Sequence, residues 1–504
     1  MYIDCQFHCT FILTLLHRRS THSLLTAVTS FLRVGAAIQD RGTIDTPILA
    51  YFAVFWLIWK KEESYSTRFD TTDISSHLMT LSVCFALLSG SLSAYSTLDS
   101  GGCTRIMGVA MFVALLHAAL YTRVWCWFHN AEDTTVNLSV KNYAILNTIM
   151  NVLEALTYGV GIALHNHPNY GGGDWRKYIF LIGVILNIRL PCAIMPNDFH
   201  TACRKRGVLF ILLLGFNLQS ILTTASPFFN YWEPSFTQYA FIFLECLLLF
   251  MIKLLYVDDM YIAPHDHALL YNQVSGFFFN VGNFTLLLFT TVLGSGLNLL
   301  THSYLAAAES LPNDAKNLVC GGMSLVFFSI LFIKCMHIRR VPTNPKHEQL
   351  FLIAYFTQVA GVLIIVYVTA RMYFLPTSGG EEEIEGFLAL LMRNEIQMLF
   401  VLVVFALILL ILSYMDEALE LQLYSDASEA SENRVRPFGI MACCQYNEPL
   451  QLEAMALERN RLAKRSMNPV LGASVMSFPG SMSGMSMYNS FANFDSLRHV
   501  QSSI

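Results

Sequence analysis

From Asn394 to Tyr414 the chain runs through Leu399-Phe400-Val401-Leu402-Val403-Val404-Phe405 with no charged residue after Glu395. A helix needs roughly 20 apolar residues to cross a hydrocarbon core of about 30 Å, where a backbone must satisfy its own hydrogen bonds. This stretch meets that requirement. Ten others meet it less strictly: 46–59, 76–95, 106–126, 143–164, 178–195, 207–225, 238–257, 275–300, 318–337 and 350–372. The expected fold is all-α, a polytopic transmembrane helix bundle of about 11–12 spans. The uncertain member is His22 to Ile38, which carries Arg33 and reads equally well as a span or as an amphipathic helix on the membrane surface. Upstream, the apolar Cys9–Leu16 is followed rather than preceded by Arg18 and Arg19, the reverse of a secretory leader, so none is expected.

Composition agrees. Charged residues make up 13% of the chain and hydrophobic residues 54%, whereas soluble proteins average about 25% charged. A water-soluble globule is excluded. A net charge of −5, from 36 acidic and 31 basic residues, gives no reason to expect a nucleic-acid partner. The lipid bilayer is the expected partner, with an ion or small solute as the candidate cargo.

Three regions follow: a lead-in, 1–45, with a weak candidate helix; a transmembrane domain, 46–414; and a tail, 415–504. The tail passes from a Ser/Glu-rich run to Ser, Met, Asn and Gly around Ser481-Met482-Ser483-Gly484-Met485. Such a composition buries too little apolar surface to offset chain entropy, so disorder is expected apart from a short helix over Leu450 to Arg465. Cys443 and Cys444 read as reduced thiols in that tail. Cys103 and Cys320 both fall near the outer side, where a disulfide is conceivable.

Lys and Arg favour cytosolic connections. One set of connections holds Lys60, Lys61, Arg68, Arg123, Lys141, Arg204, Lys205, Arg206, Lys334, Arg339, Arg340 and Lys346, and the opposite set only Arg41, Arg105, Arg176, Lys177, Lys316, Arg371 and Arg393. The first side should be cytosolic and should carry the C-terminal tail. Nothing distinguishes the plasma membrane from an endomembrane.

Charged groups at mid-membrane cost about 2.5–3.5 kcal/mol on insertion scales, so each needs an explanation. In the fourth span Asn147, Asn151, Glu154 and Tyr158 are spaced +4, +3 and +4, on one helical face. That face lines a hydrophilic path or packs against other helices. Glu245 in the seventh span is a second carboxylate, and Arg189, beside Asn187 in the fifth, offers a counter-charge. The eighth span combines Asn280, Gly282, Asn283, Thr285, Thr290, Thr291, Gly294, Ser295 and Gly296, a density that weakens a continuous helix. An interrupted, ion-coordinating helix and close packing through glycine are the two readings. Ala86-xxx-Gly90-xxx-Ala94 is a plain packing motif. The acidic run between Gly380 and Gly386 reads as a solvated outer loop, and His265-Asp266-His267 is too small a cluster to claim a metal.

Trp56 to His77 reads as a span ending in an interfacial Trp56/Trp59 pair, then Arg68-Phe69-Asp70 and Asp73, placed to cap the next helix. With Tyr121 and Arg123 in Ala119-Leu-Tyr-Thr-Arg123 downstream, this pattern resembles the low temperature requirement A (LtrA) family of multi-pass membrane proteins, as a divergent, eukaryotic-type member. The convincing part covers Trp56 to Arg123. The family's opening Glu-Leu-Phe-Phe-Asp-Leu-Val-Phe-like helix has no counterpart in residues 1–45. Its Gly-Glu pair inside a later span falls at Gly282-Asn283, without the carboxylate. The resemblance implies a helical membrane protein linked to cold tolerance in bacteria, but no substrate or catalytic set.

Two functions compete. One is a transporter or channel for an ion or small solute, lined by Asn147, Asn151, Glu154, Tyr158, Arg189, Glu245, Asn280 and Asn283. The other is a membrane scaffold or stress-response protein whose polar stripe fixes packing and whose tail recruits partners. A membrane enzyme ranks third, since neither a phosphate-binding Gly-rich loop nor a His-Glu-x-x-His helix occurs, and no cofactor is expected.

Overall fold

The computed structural model describes residues 21–69, 74–95, 101–129, 135–165, 175–187, 199–231, 235–258, 267–271, 273–306, 313–337, 339–342, 345–374, 395–427 and 435–438. Its helices, in chain order, are α1 (Thr21–Arg41), α2 (Thr46–Ser66), α3 (Ile74–Ser91), α4 (Gly101–His129), α5 (Thr135–His165), α6 (Trp175–Asn187), α7 (Phe199–Tyr231) and α8 (Phe236–Asp258). The single turn α9 (Ala268–Tyr271) precedes α10 (Gln273–Leu305), α11 (Asn313–Met336), α12 (Pro345–Phe374) and α13 (Glu395–Ala427). Strands β1 (Arg339–Pro342) and β2 (Val435–Phe438) pair antiparallel, with Arg339 opposite Phe438.

Eight of these helices, α4, α5, α7, α8 and α10–α13, are long and apolar enough to cross a membrane, and α3 is a shorter apolar helix. The protein is an integral, multi-pass, all-helical membrane protein. The side-chain distribution follows from lipid as solvent. On α3, Leu78, Leu81, Phe85 and Leu88 point outward, Phe85 being 71% exposed. On α5, Ile145, Ile149, Val152, Leu153, Leu156 and Val160 are exposed, while Glu154 is 1% exposed. Water would penalise so much bare apolar surface; acyl chains do not.

Helix α10 is the centre of the bundle. Of its most apolar window 78% is buried, against 22% for the peripheral α12, and it packs on α11, α7 and α1. Between helices in lipid, close packing replaces the hydrophobic effect as the source of cohesion. A Cβ on Gly296 would stand 2.8 Å from Leu318 Cβ and 2.9 Å from the Val319 nitrogen, and one on Gly322 would stand 3.0 Å from the Leu293 nitrogen. These two glycines let α10 and α11 touch backbone to backbone. The glycine-rich eighth span is one unbroken helix, so of the two readings its glycines follow the packing one.

Two further readings change. The stretch from His22 to Ile38, open between span and surface helix, lies within α1. Its Leu24, Ala27, Val28, Phe31, Val34 and Ile38 are buried, and it packs against α3, α10, α2 and α7. It is a bundle helix. Gly42, at φ +69°, ends it, donating its N–H to the Ile38 carbonyl in the left-handed conformation glycine adopts without strain. Helix α2 opens with a proline in its first turn, where a missing N–H costs nothing. It does not end at Trp59 but continues through Lys60-Lys61-Glu62-Glu63 to Ser66. The packing motif holds on α3 for Ala86, which is buried, and for Gly90, where a Cβ would stand 2.9 Å from Phe55 of α2; Ala94 is buried too but lies in the turn after the helix, which ends at Ser91.

Candidate functional site

The C-terminal turn of α2 carries the densest buried charge. Lys61 is 7% exposed, Glu62 6% and Glu63 1%, so these residues are not the cytosolic loop charges their position after an apolar stretch suggests. Each charge meets a distant helix. Lys61 Nζ lies 2.5 Å from Glu154 Oε2 of α5. Glu63 accepts from Arg206 Nε of α7 at 2.8 Å and from Arg206 Nη2 at 3.4 Å, and also pairs with Lys60. Glu62 Oε1 accepts the Thr80 hydroxyl of α3 at 3.0 Å, and Lys205 donates to Ser66 Oγ at 2.5 Å. The Arg206 guanidinium lies 5.1 Å over the Phe279 ring of α10. The turn is closed by Ser66 and Thr67, whose hydroxyls donate to the Glu62 and Glu63 carbonyls, and by Arg68, which donates to the Ser64 carbonyl.

The four residues of the α5 stripe come together as their spacing predicts. Asn147, Asn151, Glu154 and Tyr158 are all buried. Asn147 and Asn151 each donate to the carbonyl four residues earlier, at 2.8 Å. Tyr158 lays its ring against Gly183 and Phe180 of α6. The counter-charge for Glu154 is Lys61; Arg189 lies outside the described residues.

A second polar line runs along α10. Asn283 donates to the Phe279 carbonyl and accepts from the Tyr256 hydroxyl of α8 at 2.9 Å. Asn217 of α7 donates to the Thr290 carbonyl at 3.0 Å and fills the notch over Gly294. Ser295 donates to the Gly35 carbonyl of α1 at 2.8 Å. Asn298 donates to Gln39 of α1 at 2.8 Å and accepts from Thr224 of α7. Near the far end Thr301 meets Glu245 of α8, with Oγ1 at 2.9 and 2.8 Å from the two carboxyl oxygens. Asn280 is half-buried, and its amide oxygen has no partner among the described residues. The structure thus divides the candidates: Asn147, Asn151, Glu154 and Tyr158 line one face of α5, where Glu154 meets Lys61 of α2 and Tyr158 packs on α6, while Glu245 and Asn283 belong with α10.

Two clusters have no counterpart in the sequence reading. His267 and His337 lie with ring centroids 4.4 Å apart. Their Nδ1 atoms accept the Leu269 and Ala268 backbone N–H groups, and His267 Nε2 is 3.4 Å from Cys203 Sγ. Because a backbone N–H only donates, both rings cap the start of α9 as acceptors at Nδ1. Lys334 of α11 donates to Ser413 of α13 at 3.1 Å and lies 3.9 Å from Asp416. Gln358 of α12 bridges that pair, donating to Asp416 and accepting from Lys334, both at 2.8 Å. A cavity of about 30 Å³ beside it, lined by Lys334, Gln358 and Ser413 with apolar neighbours, has room for about one water. Among the described residues no three His, Cys, Asp or Glu are grouped to hold a metal, and the conceivable disulfide between Cys103 and Cys320 is not formed.

The motif residues gather around the end of α2. Trp56 and Trp59, 5.0 Å apart, are buried rather than interfacial. Tyr121 packs edge to face with Phe69, Tyr65 and Tyr143, and Phe69 meets Tyr65 and Tyr143 at a tilt. Arg68 lies 5.2 Å over Tyr143, and Arg123 lies 4.3 Å over Trp127. Asp70 and Asp73 lie outside the described residues. The family model described as bacterial low temperature requirement A protein (LtrA) matches residues 25–416, more than three-quarters of the chain.

The chain belongs to the LtrA family.

The LtrA match begins inside α1 and ends at Asp416, so it takes in the whole bundle rather than the Trp56–Arg123 segment alone. It includes α1, whose sequence lacks the family's opening motif. Neither a curated protein nor a solved structure matches the chain.

Proposed function

We propose that this LtrA-family protein moves a small ion across its membrane along the hydrophilic face of α10. The observation that carries this reading is the spacing of that face. Asn283, Thr290, Gly294, Asn298 and Thr301 fall at +7, +4, +4 and +3 on one face: Asn283 and Thr301 bond Tyr256 and Glu245 of α8, the Thr290 carbonyl and the notch at Gly294 take Asn217 of α7, and Asn298 accepts from Thr224 of α7 while donating to Gln39 of α1. The eighteen steps from Asn283 to Thr301 rise about 27 Å at about 1.5 Å each, close to the roughly 30 Å of the hydrocarbon core. A packing interface needs one or two such contacts; a line of hydroxyls and amides from one face to the other is what a moving ion needs. Glu245 supplies a carboxyl group beside that line, about midway along Phe236–Tyr256.

The scaffold reading draws on the α5 stripe. Asn147 and Asn151 donate to their own helix, and Glu154 is paired with Lys61. We assign that stripe to packing and keep the transport route on α10. The tail is placed on the cytosolic side, the side of Arg339, Arg340 and Lys346. Four cations counted toward that side, Lys60, Lys61, Arg206 and Lys334, are ion-paired with carboxylates and contribute less to the assignment.

Currents from the full chain on a solid-supported membrane, after jumps in proton, sodium, potassium or chloride concentration, test the reading. A current with one of these ions that Asn298→Leu diminishes supports it. Silence for all four, with normally folded protein, leaves the scaffold.

A further inference from the structure

We infer that Glu245 and Thr301 form a reversible proton-binding site buried between α8 and α10. The assignment of the proton as the transported ion rests on the transport reading; the protonation of Glu245 does not.

Glu245 is fully buried, and its one hydrogen-bond partner among the described residues is the Thr301 hydroxyl. Among the described residues no cation is paired with it. The elements packed on α8 are α13, α7 and α10. Between Glu395 and Asp416 at its ends, the membrane part of α13 holds no charged residue, and α7 holds none from Gly207 to Tyr231. The titratable groups of α10 are His302, whose ring lies 6.1 Å from Phe228, and Tyr304, which stacks on Phe241. On α8 itself, Cys246 is the neighbour, Lys253 lies two turns away with its ammonium 5.7 Å from the Phe250 ring, and Tyr256 bonds Asn283. An isolated carboxylate in so apolar a place takes up a proton rather than keep its charge.

Thr301 is suited to both protonation states. Its single hydroxyl hydrogen can go to Glu245 or, at 2.9 Å, to the Leu297 carbonyl one turn back. When Glu245 carries the proton, the carboxyl donates to Thr301 Oγ1 and the hydroxyl turns to Leu297. When the proton leaves, the hydroxyl turns back and donates to the carboxylate. One bond rotation exchanges the states, with no heavy atom displaced. The balance is one proton gained or lost at a Glu245 oxygen, exchanged with the aqueous phase.

The test combines two readouts on the full chain in liposomes. Infrared difference spectra across a pH series should contain the carbonyl stretch of a protonated carboxyl group at neutral pH, and Glu245→Gln should remove it. Glutamine has the shape of the neutral acid, so this variant should fold and melt like the wild type. Thr301→Val should keep the band but slow dissipation of an imposed pH gradient about tenfold or more, because the charged form loses its donor. A band lost in Glu245→Gln, with no proton movement by any protein, upholds the site and overturns the proton as cargo. A spectrum at neutral pH with no protonated-carboxyl band that Glu245→Gln removes overturns the site, whatever the flux.

Discussion

Replacing Glu63 by glutamine should be among the most damaging single changes in the bundle, and removing Arg206 as well should repair much of the harm. Glu63 is the common acceptor for Arg206 and Lys60, and Glu63 and Arg206 are 1% and 2% exposed. Glu63→Gln keeps the volume but leaves two cations together without their carboxylate. Breaking a buried pair in this way costs about 3–5 kcal/mol, a large part of a typical stability of about 5–15 kcal/mol. Arg206→Met on the Glu63→Gln background removes one orphaned charge and keeps an apolar, polarisable group against Phe279. The attraction of the guanidinium to that ring, about 0.5–2 kcal/mol, is lost. Lys60, 19% exposed at its side chain, remains and can extend toward the headgroups. The double variant should therefore be about 1–3 kcal/mol more stable than Glu63→Gln alone, the sign opposite to additive damage. Thermal unfolding of purified protein in detergent, followed by fluorescence of the nearby Trp56 and Trp59, reads the midpoints. A double variant less stable than Glu63→Gln would refute the reasoning, as would a Glu63→Gln variant that melts like the wild type.

Other expectations follow from the same packing. Gly296→Ala should destabilise by about 1–3 kcal/mol, because its methyl group meets the Leu318 side chain and the Val319 backbone; Gly215→Ala on α7, with nothing within 4 Å, should be neutral or slightly stabilising in the same melt. Asn298→Leu strands Gln39 and Thr224 and should cost about 1–3 kcal/mol, while Gln39→Leu with Asn298→Leu should cost less than the two singles combined, as a double-mutant cycle would reveal. Exposed Cys126 should react with a maleimide in folded protein, and buried Cys103 and Cys320 only after unfolding.

The α5 stripe was legible in the sequence because a period of 3.6 residues decides which side chains share a face, and lipid forbids that face from pointing outward. Ile149, Val152, Leu153 and Leu156, between Asn147 and Tyr158, agree with it by lying on the exposed side. The end of α2 was not legible. Four successive charges after an apolar run look like a helix leaving the membrane unless their partners are known, and Glu154 and Arg206 lie 93 and 143 positions away. The Trp pair misled in the same way, since interfacial and buried tryptophans are alike in sequence. On α10, Asn283, Thr290 and Gly294 were in view but were weighed as a density of glycine and amide, and Asn298 and Thr301 were not singled out. Their spacing, which places Asn283, Thr290, Gly294, Asn298 and Thr301 on one face, carried the information. His337 gave no signal, because what pairs it with His267 is the fold of α9 against the end of α11.

The most direct test of the transport reading is the decay of an imposed pH gradient across liposomes containing the full-length protein, followed with a dye in the lumen. The predicted result is faster decay than in protein-free liposomes, restored to the protein-free rate by Glu245→Gln without loss of folded protein. A gradient that the wild type holds as long as empty liposomes do would contradict it.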